Sequence, residues 1–163
     1  MPFLMWLEQS GFATWVRESQ SIWAFPSVLT VHTIGMGLLG GTVAMVNLRI
    51  LGIAPLIPLR LMERFLRIMW LGFWMNALSG TTLFIARATE HASNPDFYVK
   101  LTCVALAVVS TRLLTREVFG DSVSVDTEPV RMRGKILAGT SLALWTATIT
   151  AGRLMAYIGG GNT

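Results

Sequence analysis

The sequence predicts an all-α integral membrane protein, a four-helix bundle preceded by an interfacial amphipathic helix. Of its 163 residues, 53% are hydrophobic and only 13% are charged, whereas soluble domains carry about 25% charged residues. The segment from Ile22 to Leu48 contains no charged side chain, and about 20 apolar helical residues cross a hydrocarbon core of roughly 30 Å. We therefore expect residues 1–163 to form a single transmembrane domain.

Residues 2–20 are expected to form the interfacial helix. This segment mixes aromatic and aliphatic side chains with charged ones, so it is too short and too charged to cross the bilayer. Trp6 and Trp15 are expected at the level of the lipid headgroups. The start of the chain lacks the basic region and small-residue cleavage site of a signal peptide, so we expect the segment to stay on the mature protein.

Hydropathy predicts four spans, at residues 22–51, 61–86, 97–115 and 136–158. Pro26 falls in the first turn of the first span, where its missing N–H costs little. The third span is predicted to be the weakest, because Lys100 and Arg112 bracket its short uncharged segment and must extend toward the two surfaces.

The distribution of basic residues predicts the orientation of the bundle. Cytoplasmic connections carry an excess of Lys and Arg. One side of the predicted bundle holds nine such residues, namely Arg49, Arg60, Arg64, Arg67, Arg112, Arg116, Arg131, Arg133 and Lys135. The other side holds four, namely Arg17, Arg87, Lys100 and Arg153. We therefore expect a multi-pass protein of the bacterial inner membrane with both termini in the periplasm.

Stripes of small residues predict where the helices contact one another, because close backbone approach favours association in lipid. The stripes lie at i, i+4 spacing in spans one, two and four, and consist of Thr33, Gly37 and Gly41; Gly72, Asn76 and Gly80; and Gly139, Ala143, Ala147 and Ala151. Contacts within the bundle are the first interpretation of these stripes. A homodimer interface is the alternative.

His32 is the ionisable residue inside the first span, and such a residue marks a candidate site. Its nitrogens need polar partners, so we expect the ring to face the bundle interior. Three roles stay open: a neutral imidazole bonded to a neighbouring helix, an axial ligand of a b-type haem, or a proton, quinone or ion site. Candidate partners in the second span are Asn76, Ser79, Thr81 and Thr82.

The haem hypothesis assigns roles to further residues. Gly35 shares the His32 face and would leave room for a flat macrocycle, and imidazole is a usual axial ligand. Arg87, Lys100 and Arg153 lie at the outer helix ends and are candidate partners for propionates. His91 is expected beyond the second span, near the outer headgroups. It joins His32 as a metal ligand only if the second connection folds into the bundle.

Other functional classes find little support. The formal charge of +4, with basic residues at helix ends, argues against nucleic-acid binding. The absence of a mid-membrane carboxylate argues against a proton pump. Cys103 is expected to be a small buried residue.

No catalytic constellation appears, so enzymatic activity stays open. A small redox or membrane-anchor subunit, associated with lipid and other membrane or periplasmic redox subunits, is the leading hypothesis; a cofactor-free structural or accessory protein is second and a transporter third.

The chain resembles a family of small bacterial four-helix inner-membrane proteins in the segments IWAFPSVLTVHTIGMGLLGGTVAMVNLRILG and LSGTTLFIARATEHASNPDFYVKL. The family pattern has a histidine–glycine span, a second span rich in Ser, Thr and Gly, and an aromatic-x-x-Lys entry to the third. The matching positions are His32, Gly35, residues 48–52, Ser79, Gly80 and Lys100, while Asn47 stands where the pattern has aspartate. More distantly, the layout is similar to copper-resistance D-type and cytochrome b561-like membrane proteins, which implies a helical bundle and favours haem.

Overall fold

The computed structural model describes residues 2–120 and 130–158, with side chains as far as residue 152. Within these residues the chain is helical and forms no strand, which confirms the all-α class. The helices are α1 (Pro2–Glu8), α2 (Gly11–Glu18), α3 (Phe25–Leu51), α4 (Leu59–Ala86), α5 (Ala88–Ser93), α6 (Pro95–Phe119) and α7 (Met132–Ile158).

Three of these helices, α3, α4 and α6, are long and apolar enough to cross a membrane. α6 is longer than the predicted third span of 97–115, because the Asn94 side chain caps its first turn by accepting a hydrogen bond from the Asp96 N–H at 2.9 Å. Pro95 then occupies the first turn, where no N–H partner is needed. α7 has a similar length of 27 residues, but it is not among the three, so the fourth span stays a prediction.

The N-terminal segment forms two short helices instead of the single helix expected over residues 2–20. The break falls at Ser10, whose hydroxyl donates to the Leu7 carbonyl at 2.7 Å and accepts from the Ala13 N–H at 3.3 Å. This side chain ends α1 and caps α2, so a continuous helix is interrupted. Ala13 and Val16 are fully buried, whereas Phe12 and Trp15 are exposed.

α1, α2 and α5 lie together at one end of the long helices, and we call this group the cap. Arg17 of α2 donates to the Ala86 carbonyl at the end of α4 at 3.2 Å. Glu8 of α1 accepts hydrogen bonds from the backbone N–H and the hydroxyl of Thr89 in α5. These bonds join segments 69 and 81 residues apart in the chain, so the cap closes over the end of the bundle.

α3 packs against α4 in antiparallel orientation, and α7 contacts both α3 and α6. α4 faces α6 and α7 through large side chains. The Phe73 and Trp145 rings meet edge to face at 6.5 Å, and the Arg112 guanidinium lies 5.4 Å from the centre of the Trp70 ring. These contacts pack α3, α4, α6 and α7 against one another.

The small-residue stripe of α4 contacts a neighbouring helix, as predicted, but the stripes of α3 and α7 do not form the predicted contacts. A Cβ atom on Gly72 would lie 2.8 Å from the Leu39 nitrogen and 2.9 Å from the Gly35 carbonyl oxygen, so the two backbones touch there. In contrast, Cβ atoms on Gly37, Gly41 and Gly139 would meet nothing within 4 Å. The packing face of α3 is instead the face of Gly35 and its larger neighbours, because those side chains fill the interface more completely.

The apolar core lies in the half of the bundle away from the cap. Its members include Leu39, Val43, Val46, Ile50, Met62, Leu66, Met69, Leu114 and Trp145. Toward the cap, the buried residues of α3, α4, α6 and α7 that the structure describes are Gly35, Ser79, Ala86 and Thr148. The cap-end half of the interior is therefore built from small and polar residues, and it includes the predicted site.

Candidate functional site

His32 faces α4, and its ring is half-buried. Its Nδ1 atom lies 2.9 Å from the hydroxyl oxygen of Ser79, one of the four partners proposed from the sequence. Gly80 allows this approach, because a Cβ atom there would already lie 3.4 Å from the His32 Cε1 atom. The ring is therefore held between two helices on the inner side of α3.

The hydrogen bonds of Ser79 constrain the tautomer of His32. The Ser79 hydroxyl oxygen lies 2.6 Å from the Met75 carbonyl oxygen and 2.9 Å from the His32 Nδ1 atom, and its single hydrogen can be donated to only one of them. If it is donated to Met75, the Ser79 oxygen accepts from the Nδ1–H of His32, and Nε2 of the neutral ring keeps its lone pair. Metal-bound histidines are typically oriented in this way, by a hydrogen bond from the other ring nitrogen.

Gly35 lies in the contact between α3 and α4. A Cβ atom on Gly35 would lie 2.9 Å from the Met75 Cβ and 3.0 Å from the Asn76 Nδ2. The room expected beside this glycine is thus taken by α4 side chains, since close helix approach fills it. The Asn76 Nδ2 is buried and has no hydrogen-bond acceptor within the described residues.

Lys100 is half-buried on the second turn of α6 and reaches toward α7. A Cβ atom on Gly152 would lie 3.5 Å from the Lys100 Nζ. The Lys100 charge acts electrostatically on both His32 and His91. The structure therefore brings this predicted site residue close to both histidines.

His91 belongs to an aromatic stack in the cap. Its ring centroid lies 6.3 Å from that of Phe84 and 6.1 Å from that of Phe97, with both pairs nearly parallel. Burial lowers the pKa of His91 below its usual value of 6.5, and the neighbouring Glu90 carboxylate opposes this effect. The imidazole is thus held in its neutral form at physiological pH.

His32 and His91 lie at different levels of the bundle. Their α4 contacts, Ser79 and Phe84, are five residues apart, which corresponds to about 7.5 Å along a helix. Two imidazoles on opposite sides of one metal need nitrogens only about 4 Å apart, given metal–nitrogen bonds of about 2 Å. Consistent with this separation, the described part of the chain holds no group of three or more His, Cys, Asp and Glu residues able to bind a metal ion.

The three proposed propionate partners do not form one group. Arg87 is exposed and lies 3.5 Å from Glu90, on the solvent side of the cap. Lys100 lies on the inner side of α6, as described above. Arg153 belongs to α7, but its side chain falls outside the described residues.

A polar cleft in the cap was not anticipated from the sequence. It has a volume of about 500 Å³ and is lined by Met5, Glu8, Gln9, Arg17, Arg87, Thr89 and Glu90. The Thr89 hydroxyl and N–H bond to Glu8 and lower the pKa of this carboxyl below 4.5. No local sequence signal links residues this far apart, because the cap forms only when the long helices pair.

Comparison of the chain with protein-family models, curated proteins and solved structures finds no match. The arrangement around His32 is therefore the basis for assigning a function. It holds an imidazole bonded to Ser79 between two helices that are long and apolar enough to cross a membrane.

Proposed function

We propose that this chain is a small redox or membrane-anchor subunit of a bacterial inner membrane, with a b-type haem or quinone site at His32. The three apolar helices support membrane insertion. Four spans with both termini in the periplasm follow from the excess of basic residues on the opposite side. In this orientation the cap and His32 lie toward the periplasmic leaflet.

The contact between His32 and Ser79 at 2.9 Å is the observation that carries this proposal. We infer that the ring donates from Nδ1 to the Ser79 oxygen, which would leave Nε2 available to bind haem iron or accept a quinol hydroxyl. A b-type haem would supply one-electron redox chemistry, whereas the protein holds the ligand and excludes water.

Absorption spectroscopy tests this proposal. The wild-type protein, purified from cells supplied with haem precursor, is expected to show a Soret band, or else to yield a quinone on solvent extraction. His32→Ala is expected to lose the bound cofactor. His91→Ala is the matched control and is expected to retain it, because His91 stacks in the cap. A colourless wild-type protein without extractable quinone contradicts the proposal.

A cofactor-free structural or accessory role is the second candidate, and the closed contact at Gly35 favours it. Met75 and Asn76 fill the space beside this glycine, and the His32–Ser79 bond would then serve only to join α3 and α4. This role predicts that His32→Asn, which keeps a hydrogen-bond donor, preserves the folded bundle and the host phenotype. Loss of the phenotype in a fully folded His32→Asn protein contradicts it.

The cap is proposed to lie in the lipid headgroup region. Trp6 of α1 is 69% exposed and Trp15 of α2 is 46% exposed, and tryptophan is enriched at this depth of a membrane. These exposed rings support an interfacial position for α1 and α2, with the polar cleft facing the periplasm.

A further inference from the structure

Lys100 carries a positive charge with no partner in the described part of the chain. No hydrogen bond or ion pair joins its amine to another described residue. The side chain is also partly removed from water by burial. Lysine buried inside a membrane protein normally pairs with an acid or with backbone carbonyls. The missing partner therefore calls for an explanation.

The carboxylates near Lys100 either bond to other residues or are exposed and form no ion pair with it. Glu8 bonds to Thr89 and lies 3.7 Å from Arg17, and Glu90 lies 3.5 Å from Arg87. Asp96 precedes Lys100 by one helical turn, but it is exposed and forms no ion pair with the lysine. The described carboxylates of the cap end thus leave the ammonium charge unneutralised.

The Lys100 side chain lies on the inner face of α6. Ala107 and Thr111 lie seven and eleven residues further along on the same face, and both are buried. The amine lies beside Gly152 of α7, since a methyl group there would contact the Lys100 Nζ atom at 3.5 Å. The charge is therefore directed between helices.

The position of Lys100 near one end of α6 suits a phosphate group. Lys100 is the sixth residue of α6, about 7.5 Å from the start of the helix, so in a membrane-spanning α6 its long side chain would reach the lipid headgroups. Lysine is a common point-charge ligand of phosphate, and basic sites between transmembrane helices bind lipid headgroups. We propose that Lys100 binds a phosphate oxyanion between α6 and α7, supplied either by an outer-leaflet phospholipid or by free phosphate.

Amine acylation followed by peptide mass spectrometry tests this site. The chain contains two lysines, Lys100 and Lys135, so exposed Lys135 on α7 is an internal reference. The wild-type protein is acylated in a phosphate-free maltoside detergent, alone, with inorganic phosphate, or with phosphatidylglycerol. At a ligand concentration ten times its Kd, about a tenth of the sites stay free, so acylation of Lys100 is expected to slow about tenfold.

Slower acylation of Lys100 with phosphatidylglycerol, but not with inorganic phosphate, identifies a lipid site. Slower acylation with either addition identifies a site for the phosphate group itself. Native mass spectrometry is expected to show one retained adduct in the wild type, in Lys100→Arg and in the control Lys135→Gln, and none in Lys100→Gln. Equal rates in all three conditions, or equal slowing of Lys100 and Lys135, overturn the proposal. Since neither readout involves haem or quinone, the result is independent of the function proposed for His32.

Discussion

The Ser79 hydroxyl constrains the chemistry of His32. If its hydrogen is donated to the Met75 carbonyl at 2.6 Å, the imidazole donates from Nδ1 and keeps its lone pair at Nε2. A polar side chain on one helix would thereby set both the orientation and the tautomer of a ring on the next, as the hydrogen-bond partners of metal-bound histidines do.

The His32–Ser79 bond is expected to stabilise the bundle measurably. In a double-mutant cycle with His32→Ala and Ser79→Ala, we expect a coupling free energy of about 0.6 kcal/mol and at most about 1.7 kcal/mol, as found for hydrogen bonds between membrane helices. Reversible unfolding in mixed micelles measures it. Thr81→Ala is the control, because the Thr81 hydroxyl bonds only within its own helix. Strict additivity of the two substitutions would show that the bond is absent in the folded protein.

At the scale of elements, the contact between α3 and α4 depends on Gly72. Gly72→Ala is expected to lower the free energy of unfolding by about 1–3 kcal/mol, because its Cβ would press on the backbone atoms of Leu39 and Gly35. Gly37→Ala is the matched control and is expected to be neutral or to stabilise by about 0.5–1 kcal/mol. Thermal unfolding of the detergent-solubilised variants compares them. An equal loss in Gly37→Ala would mean that the outer glycine face also carries a contact.

Glu8 gives the cap a dependence on pH. Its hydrogen bonds from Thr89 hold the pKa of the carboxyl below 4.5, so the carboxylate stabilises the α1–α5 contact fully above that pH. This contribution is lost as the pH falls through the lower folded pKa. The protection factor of the Thr89 amide against hydrogen exchange is expected to fall in that range, and to be low at neutral pH in Glu8→Gln. Glu18→Gln, which removes only a contact with Arg17, should leave the amide protected; unchanged protection in Glu8→Gln would argue against the contact.

The elements also show what sequence can and cannot predict. Hydropathy predicted long helices close to α3, α4 and α6, because a bilayer requires about 20 apolar residues of any spanning helix. Small-residue spacing failed for α3 and α7, because it does not say which face of a helix meets a neighbour. Ser79 was among the proposed partners of His32, but its bond to Met75 depends on the side-chain geometry, which the sequence does not give.

At the scale of the whole molecule, polarity divides the bundle along its length. Large apolar residues such as Met69 and Trp145 fill the half away from the cap, whereas His32, Ser79 and Lys100 occupy the other half. The long-range contacts of the cap, such as Glu8 with Thr89, could not be foreseen, because they form between segments without a local pattern. The result is a group of helices with an apolar end and a polar end.

The proposed orientation predicts which fusions of reporter enzymes to the chain are active. An alkaline phosphatase fusion after the last residue should be active, since both termini are proposed to be periplasmic, and a fusion in the connection at residues 52–58 should be inactive. A fluorescent protein that folds only in the cytoplasm provides the reciprocal control. The reverse pattern would show that the nine basic residues on that side do not set the topology.

Histidine ¹⁵N magnetic resonance tests the central claim most directly, because the chain has two histidines and His91→Asn leaves only the His32 ring in the spectrum. We expect His32 to show a protonated Nδ1 and an unprotonated Nε2 at neutral pH in the cofactor-free protein. Ser79→Ala is expected to disturb this pattern. A ring protonated at Nε2, or at both nitrogens, would contradict the account, because no lone pair would then face a ligand.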